Sequence, residues 1–132
     1  MLARKHGLAV YAAVKAETDV ACADPHQLVL MLFEAALAAV HRASERMRVR
    51  DMATKGTAVS KAIQIIEEGL MASLDMQAGG ALAERLRGLY QYMTRRLLFA
   101  SVKNDPTGLD EVAKLLGDLK EAWAAIPPGN RT

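Results

Sequence analysis

The 132 residues fit one domain and leave little room for a second. Apolar residues make up 52% and aromatic ones only 5%, with the excess in Ala, Leu, Met and Val, a composition that favours helices and disfavours an all-β fold. Seventeen Lys and Arg against fifteen Asp and Glu give a net charge of +2, too small for a nucleic-acid binder, and the single Cys22 excludes an intrachain disulfide.

Residues 1–19 read as a loosely attached segment. Leu8, Tyr11 and Val14 fall at helical spacing with no strong cap before them. Arg4 and Lys5 precede an apolar run from Gly7 to Val14, but Lys15, Glu17 and Asp19 follow it too closely for a secretory signal. Glu34 cuts the longest apolar region below the roughly 18 residues that a membrane span needs. These features predict a cytoplasmic protein with no membrane insertion.

A four-helix bundle is expected over residues 20–128. Asp24-Pro25-His26-Gln27 combines an N-cap, a first-turn proline and a capping-box partner. Behind it Val29, Phe33, Ala36, Val40, Ala43 and Met47 step by +4 and +3 alternately, predicting a helix over about 25–50. Arg42, Arg46, Arg48 and Arg50 cluster at its end, interrupted by Glu45 and Asp51, and read as a solvated helix end. Val59, Ile63, Ile66, Leu70 and Ser73 repeat the rhythm over about 53–75 until Gly79-Gly80 reverses the chain. Leu82, Leu86, Leu89, Met93, Leu97 and Ala100 mark a third helix over about 80–102. Asp105-Pro106 opens a fourth over about 106–126, and Pro127-Pro128 ends it. Short turns can join only antiparallel neighbours, so the helices run up, down, up, down.

Several chemistries lack their residues. Di-iron bundles need Glu-x-x-His, and no Glu here has a His three positions on, so no metal or cofactor is expected. Gly79-Gly80 lacks the spacing and the Lys of a phosphate loop. Cys22 and His26 are close in sequence but have no visible orienting carboxylate, so no catalytic residue is expected. The alternative class is a histidine phosphotransfer or other adaptor bundle. Its candidate is His41, yet Ser44 and Glu45 follow where a phosphoryl group would need a small, positive neighbourhood.

Surplus hydrophobicity is the informative feature. The second helix carries a second stripe, Ala58, Ala62, Ile65, Gly69, Ala72 and Met76, about 100° from the first. The third has a weaker one in Gly88, Tyr92, Phe99 and Val102. Either the two stripes face two neighbours within the bundle, or Ala62, Ile65, Gly69, Ala72, Tyr92, Phe99 and Val102 line a groove for an amphipathic partner helix.

Asp24-Pro25-His26-Gln27-Leu28 followed by Met31-Leu32-Phe33-Glu34 resembles the start of FliS-type flagellar export chaperones. Ser60-Lys61-Ala62-Ile63, Leu74-Asp75-Met76, Leu89-Tyr90, Arg95-Arg96-Leu97, Lys103-Asn104-Asp105-Pro106 and Glu121-Ala122-Trp123 extend the likeness through residue 126, in order. Asp24 stands where Ser or Thr is usual, and Ala35 where Gly is usual. The resemblance implies a cytoplasmic, non-enzymatic chaperone that binds the C-terminal segment of flagellin, prevents its premature polymerisation and aids delivery to the export apparatus. The export machinery or a regulatory protein would be a further partner. On that reading the segment with Leu8, Tyr11 and Val14 is a lid over the groove.

Overall fold

Asp24 starts the first helix of the structure, a computed structural model that describes residues 24–127. Its side chain accepts a hydrogen bond from the Gln27 amide at 2.8 Å, and α1 runs Pro25–Arg48. The helix stops because Arg50 turns left-handed, with φ 62°. The Asp51 amide then reaches back to the Arg46 carbonyl at 2.9 Å and the Arg50 amide to Met47 at 3.2 Å. Glycine is the usual residue at such a turn. Asp51 caps α2, Met52–Gln64, through the Thr54 amide. The chain continues directly into a π-helical stretch, Ile65–Met71. After a turn organised by the Asp75 carboxylate on the amides of Gln77 and Ala78, α3 spans Gly80–Lys103. Asn104, left-handed at φ 51°, closes α3 in the same manner as Arg50 closes α1. Asp105 accepts from the Thr107 amide to cap α4, Pro106–Ala124.

The described residues form four helices and no strand. Short connections make successive helices antiparallel. α1 packs on α2 and α4, while α3 closes the square against α4, α2 and the π-helical stretch. Leu32, Val40, Ile66, Leu70, Met93, Leu97, Leu109 and Leu116 are fully buried between them. The α3–α4 crossing depends on Gly108, where a Cβ would lie 2.6 Å from the Ala100 Cβ.

Three expectations need correction. The core line of α3 holds at Leu86, Leu89, Met93, Leu97 and Ala100 but fails at Leu82, which is exposed, while Ala83 and Tyr90 are buried beside it. The second helix is not α-helical throughout. In a π-helical turn each amide bonds five residues back, so residues four and five apart share a side. Ile65 and Ile66, and likewise Gly69 and Leu70, all turn inward. Finally, α1 is long and apolar enough by length and composition to cross a membrane, despite Glu34. That apolarity serves the bundle, because α1 packs against both α2 and α4 and buries Leu28, Leu32, Phe33, Ala36, Ala39, Val40, Ala43 and Met47 between them.

The two ends of the bundle are tied differently. At one end His26 and Trp123 stack, with ring centroids 4.9 Å apart and planes 13° from parallel. The Trp123 Nε1–H donates to the His26 carbonyl at 3.0 Å. The His26 Nε2–H donates to the Trp123 carbonyl at 2.7 Å, which fixes the tautomer because a carbonyl can only accept. Trp123→Phe keeps an apolar ring against His26 and loses the indole donor. The expected cost is about 1 kcal/mol, read as a fall of about 4 °C in Tm. An unchanged melt would mean the indole bond contributes nothing.

At the other end the buried Lys55 donates from Nζ to the Ser101 carbonyl at 2.9 Å and to Asn104 Oδ1 at 2.8 Å. A cation on the last carbonyls of α3 also complements the negative end of that helix dipole.

Candidate functional site

Lys55 also orients the second apolar stripe. It lies on the line Lys55, Ala58, Ala62, Ile65, Gly69, and its bonds to α3 show that this line faces α3. Ala58, Ala62, Ile65 and Gly69 are accordingly buried, whereas Ala72, beyond the π-helical stretch, is exposed. The stripe thus serves a neighbour within the bundle over most of its length, and it is not an open groove wall.

The third-helix half of the candidate site is different. Tyr92 is 37% exposed, Phe99 59% and Val102 72%, and Leu98 beside them is 58% exposed. Position 88 adds no bulk, since a Cβ there would meet nothing within 4 Å. Four large apolar side chains over three turns of one helix make an apolar patch uncovered by any described residue. Its edge is cationic, for Lys103 Nζ lies 5.7 Å from the Phe99 ring centroid. Leu98 escaped the sequence reading because it lies off the Tyr92–Phe99–Val102 line. Leu8, Tyr11 and Val14 lie outside the described residues.

Tyr92 forms the fixed edge of the patch. Its hydroxyl donates to Glu111 Oε2 at 2.5 Å, and Arg96 Nε donates to Glu111 Oε1 at 2.7 Å. Arg96 also lies 3.9 Å from Asp105. The bond to Glu111 raises the Tyr92 hydroxyl above its ordinary pKa, and the bonds from Tyr92 and Arg96 hold the Glu111 carboxyl below its own. Bonds from Thr107 lower Asp105, and bonds from Thr54 lower Asp51. A carboxyl whose pKa is depressed by folding adds stability above its unfolded value and loses it as pH falls through the folded value. Thermal stability should therefore be flat from neutrality to about pH 5 and decline below about pH 4. Glu111→Gln should flatten part of that decline, and an identical acid limb would show that the α3–α4 network carries none of it.

The patch can bind but offers no chemistry. Tyr92 is held by Glu111, and its other members are hydrocarbon. Elsewhere, no three His, Cys, Asp or Glu side chains among the described residues group as a metal would require. His41 is exposed on α1, with Glu45 one turn further on held by Arg48 at 2.8 Å.

Comparison with known proteins places the whole described bundle within one family. The profile of the family described as flagellar protein FliS matches residues 8–130. The chain is 47% identical over 122 residues to the flagellar secretion chaperone FliS of Salmonella typhimurium, spanning 92% of this chain and 90% of that protein. It is 43% identical over 117 residues to the flagellar secretion chaperone FliS of Escherichia coli, spanning 89% and 86%. Against the protein of the same name in Bacillus subtilis the figures are 32% over 107 residues, spanning 81% and 78%.

Proposed function

The chain belongs to the FliS family, and from that premise we propose that it is a cytoplasmic flagellar export chaperone whose client is the C-terminal segment of flagellin. The observation that carries the reading is the patch of Tyr92, Leu98, Phe99 and Val102 on α3 that no described residue covers. A client segment that is unfolded before assembly and helical afterwards needs an apolar surface on which to fold. The patch offers such a surface, with Ala72 at its margin and Ala62, Ile65 and Gly69 as the packed support behind α3. By occupying the segment, the chaperone keeps it from polymerising. Ordering the client consumes part of the interaction energy, which leaves the complex releasable at the export apparatus without ATP. The work is done by binding, with no catalysed step.

Residues 1–16 are the lid of this proposal, with Leu8, Tyr11 and Val14 competing for the apolar surface when no client is present. Calorimetric titration of the full chain with the flagellin C-terminal segment tests the reading, and failure to bind any flagellin segment would remove it. Deleting residues 1–16 should raise client affinity and make the free protein more prone to aggregate. Hydrogen exchange at residues 8–14 should speed up when client binds. Unchanged or slower exchange there would remove the lid and leave the client surface standing.

A further inference from the structure

A cleft of about 770 Å³ opens at the Lys55 end of the bundle, between the end of α1 and the start of α4, lined by Met47, Arg48, Arg50, Met52 and Asp110 among others. It is separate from the contacts assigned to the client. Three observations bear on what it holds. Arg50 keeps a full side chain on a left-handed backbone, φ 62°, where glycine would sit without strain. The lining carries two arginines and two carboxylates: Arg48 is occupied by Glu45, while Arg50, just past α1, and Asp110, on α4, have no ion-pair partner among the described residues. The lining also includes two methionines, whose unbranched, polarizable side chains adapt to varied apolar shapes. Met52 is 40% exposed, and the neighbouring Val49 is 59% exposed.

We propose that this cleft docks a polypeptide segment of a second protein partner, in which an aliphatic side chain is flanked by an acidic and a basic residue. The aliphatic side chain enters against Met47 and Met52. The acidic residue meets Arg50 and the basic residue meets Asp110. Paired opposite charges fix the direction of the segment and exclude partners of the wrong register more than they add raw affinity. A nucleic acid or an anionic lipid surface fits less well, because Asp110 and Glu45 in the same walls repel phosphates. The left-handed Arg50 is then a case of backbone strain kept for the sake of a contact.

The test uses the full chain and a fluorescein-labelled helical peptide presenting Glu, Leu and Lys on one face, followed by anisotropy. Arg50→Gly should weaken peptide binding at least fivefold and raise Tm by about 4 °C, because glycine relieves the left-handed turn. Asp110→Asn should weaken binding by a similar factor. Asp110→Lys should lose the peptide and regain it when the peptide Lys is changed to Glu. Both Arg50→Gly and Asp110→Asn should bind the flagellin C-terminal segment within about twofold of the parent, so failure here is distinguishable from failure of the export-chaperone reading. No binding of the peptide, or binding indifferent to Arg50 and Asp110, would overturn the proposal. So would phosphatidylserine vesicles or an oligonucleotide that bind through Arg50 and gain from Asp110→Asn.

Discussion

Ile65→Asp is expected to unfold the chain. Ile65 is 3% exposed and sits in the core with Ala62, Ile66 and Leu70, on the line of α2 that Lys55 fastens to α3. Removing the aliphatic side chain alone forfeits packing worth about 2–5 kcal/mol. The replacement then has to be either a buried carboxylate with no cation aligned on it or a carboxyl neutralised at further cost. Together these approach the whole stability of a domain of this size, about 5–15 kcal/mol. Ile65→Val should cost only about 1 kcal/mol and serves as the folded reference. Circular dichroism melts check this, with loss of the cooperative transition as the expected outcome for the aspartate. A folded Ile65→Asp protein that has lost flagellin binding would mean that whatever covers Ile65 gives way to the client, and would return Ile65 to the binding surface.

The reason this expectation differs from the plain periodicity of the second helix is local. Ala58, Ala62, Ile65, Gly69, Ala72 and Met76 follow strict α-helical spacing, and a stripe of that kind beside a first one reads equally as a groove wall or as a second buried face. Nothing in the sequence announces that Ile65–Met71 winds as a π-helix, which turns Ile65 and Ile66 inward together. Nor does Lys55 look like a buried residue. Its ammonium is satisfied only by carbonyl groups 46 and 49 positions away, which local pattern cannot foresee. By contrast, the caps at Asp24 and Asp105, the two first-turn prolines and the stripe of α1 were legible, because each is fixed by residues within a turn of one another. The left-handed positions divide along the same boundary. Asn104 is a residue that tolerates that conformation, whereas Arg50 gives no sign of it. The exposure of Tyr92, Phe99 and Val102 was not decided by the sequence: they lie off the core line of α3, and a second stripe there fits a buried neighbour or an open face equally well.

Phe99→Asp together with Val102→Asp should abolish most client binding and leave the fold intact. Both side chains point largely into solvent, at 59% and 72% exposure, so replacing them removes little packing from the free protein. In the complex they are to be covered by the apolar face of the flagellin segment. A carboxylate there must be desolvated against hydrocarbon, at roughly 2–4 kcal/mol for the first substitution. That corresponds to a loss of about 30-fold to several hundred-fold in affinity at 25 °C. The second adds less than its own full cost, because the two sites share one covering helix. Lys103, 5.7 Å from the Phe99 ring, sets a further condition. It will partly compensate a carboxylate at position 99 at low salt, so the defect should deepen as ionic strength rises. Leu82→Asp is the control, since Leu82 is 64% exposed on the same helix but lies at its far end from Phe99. Its affinity for the flagellin segment should stay within about twofold of the parent. Equal losses from Leu82→Asp and from the Phe99 and Val102 pair would show that the client reads general apolarity along α3. Retained binding in the pair would place the client on another face.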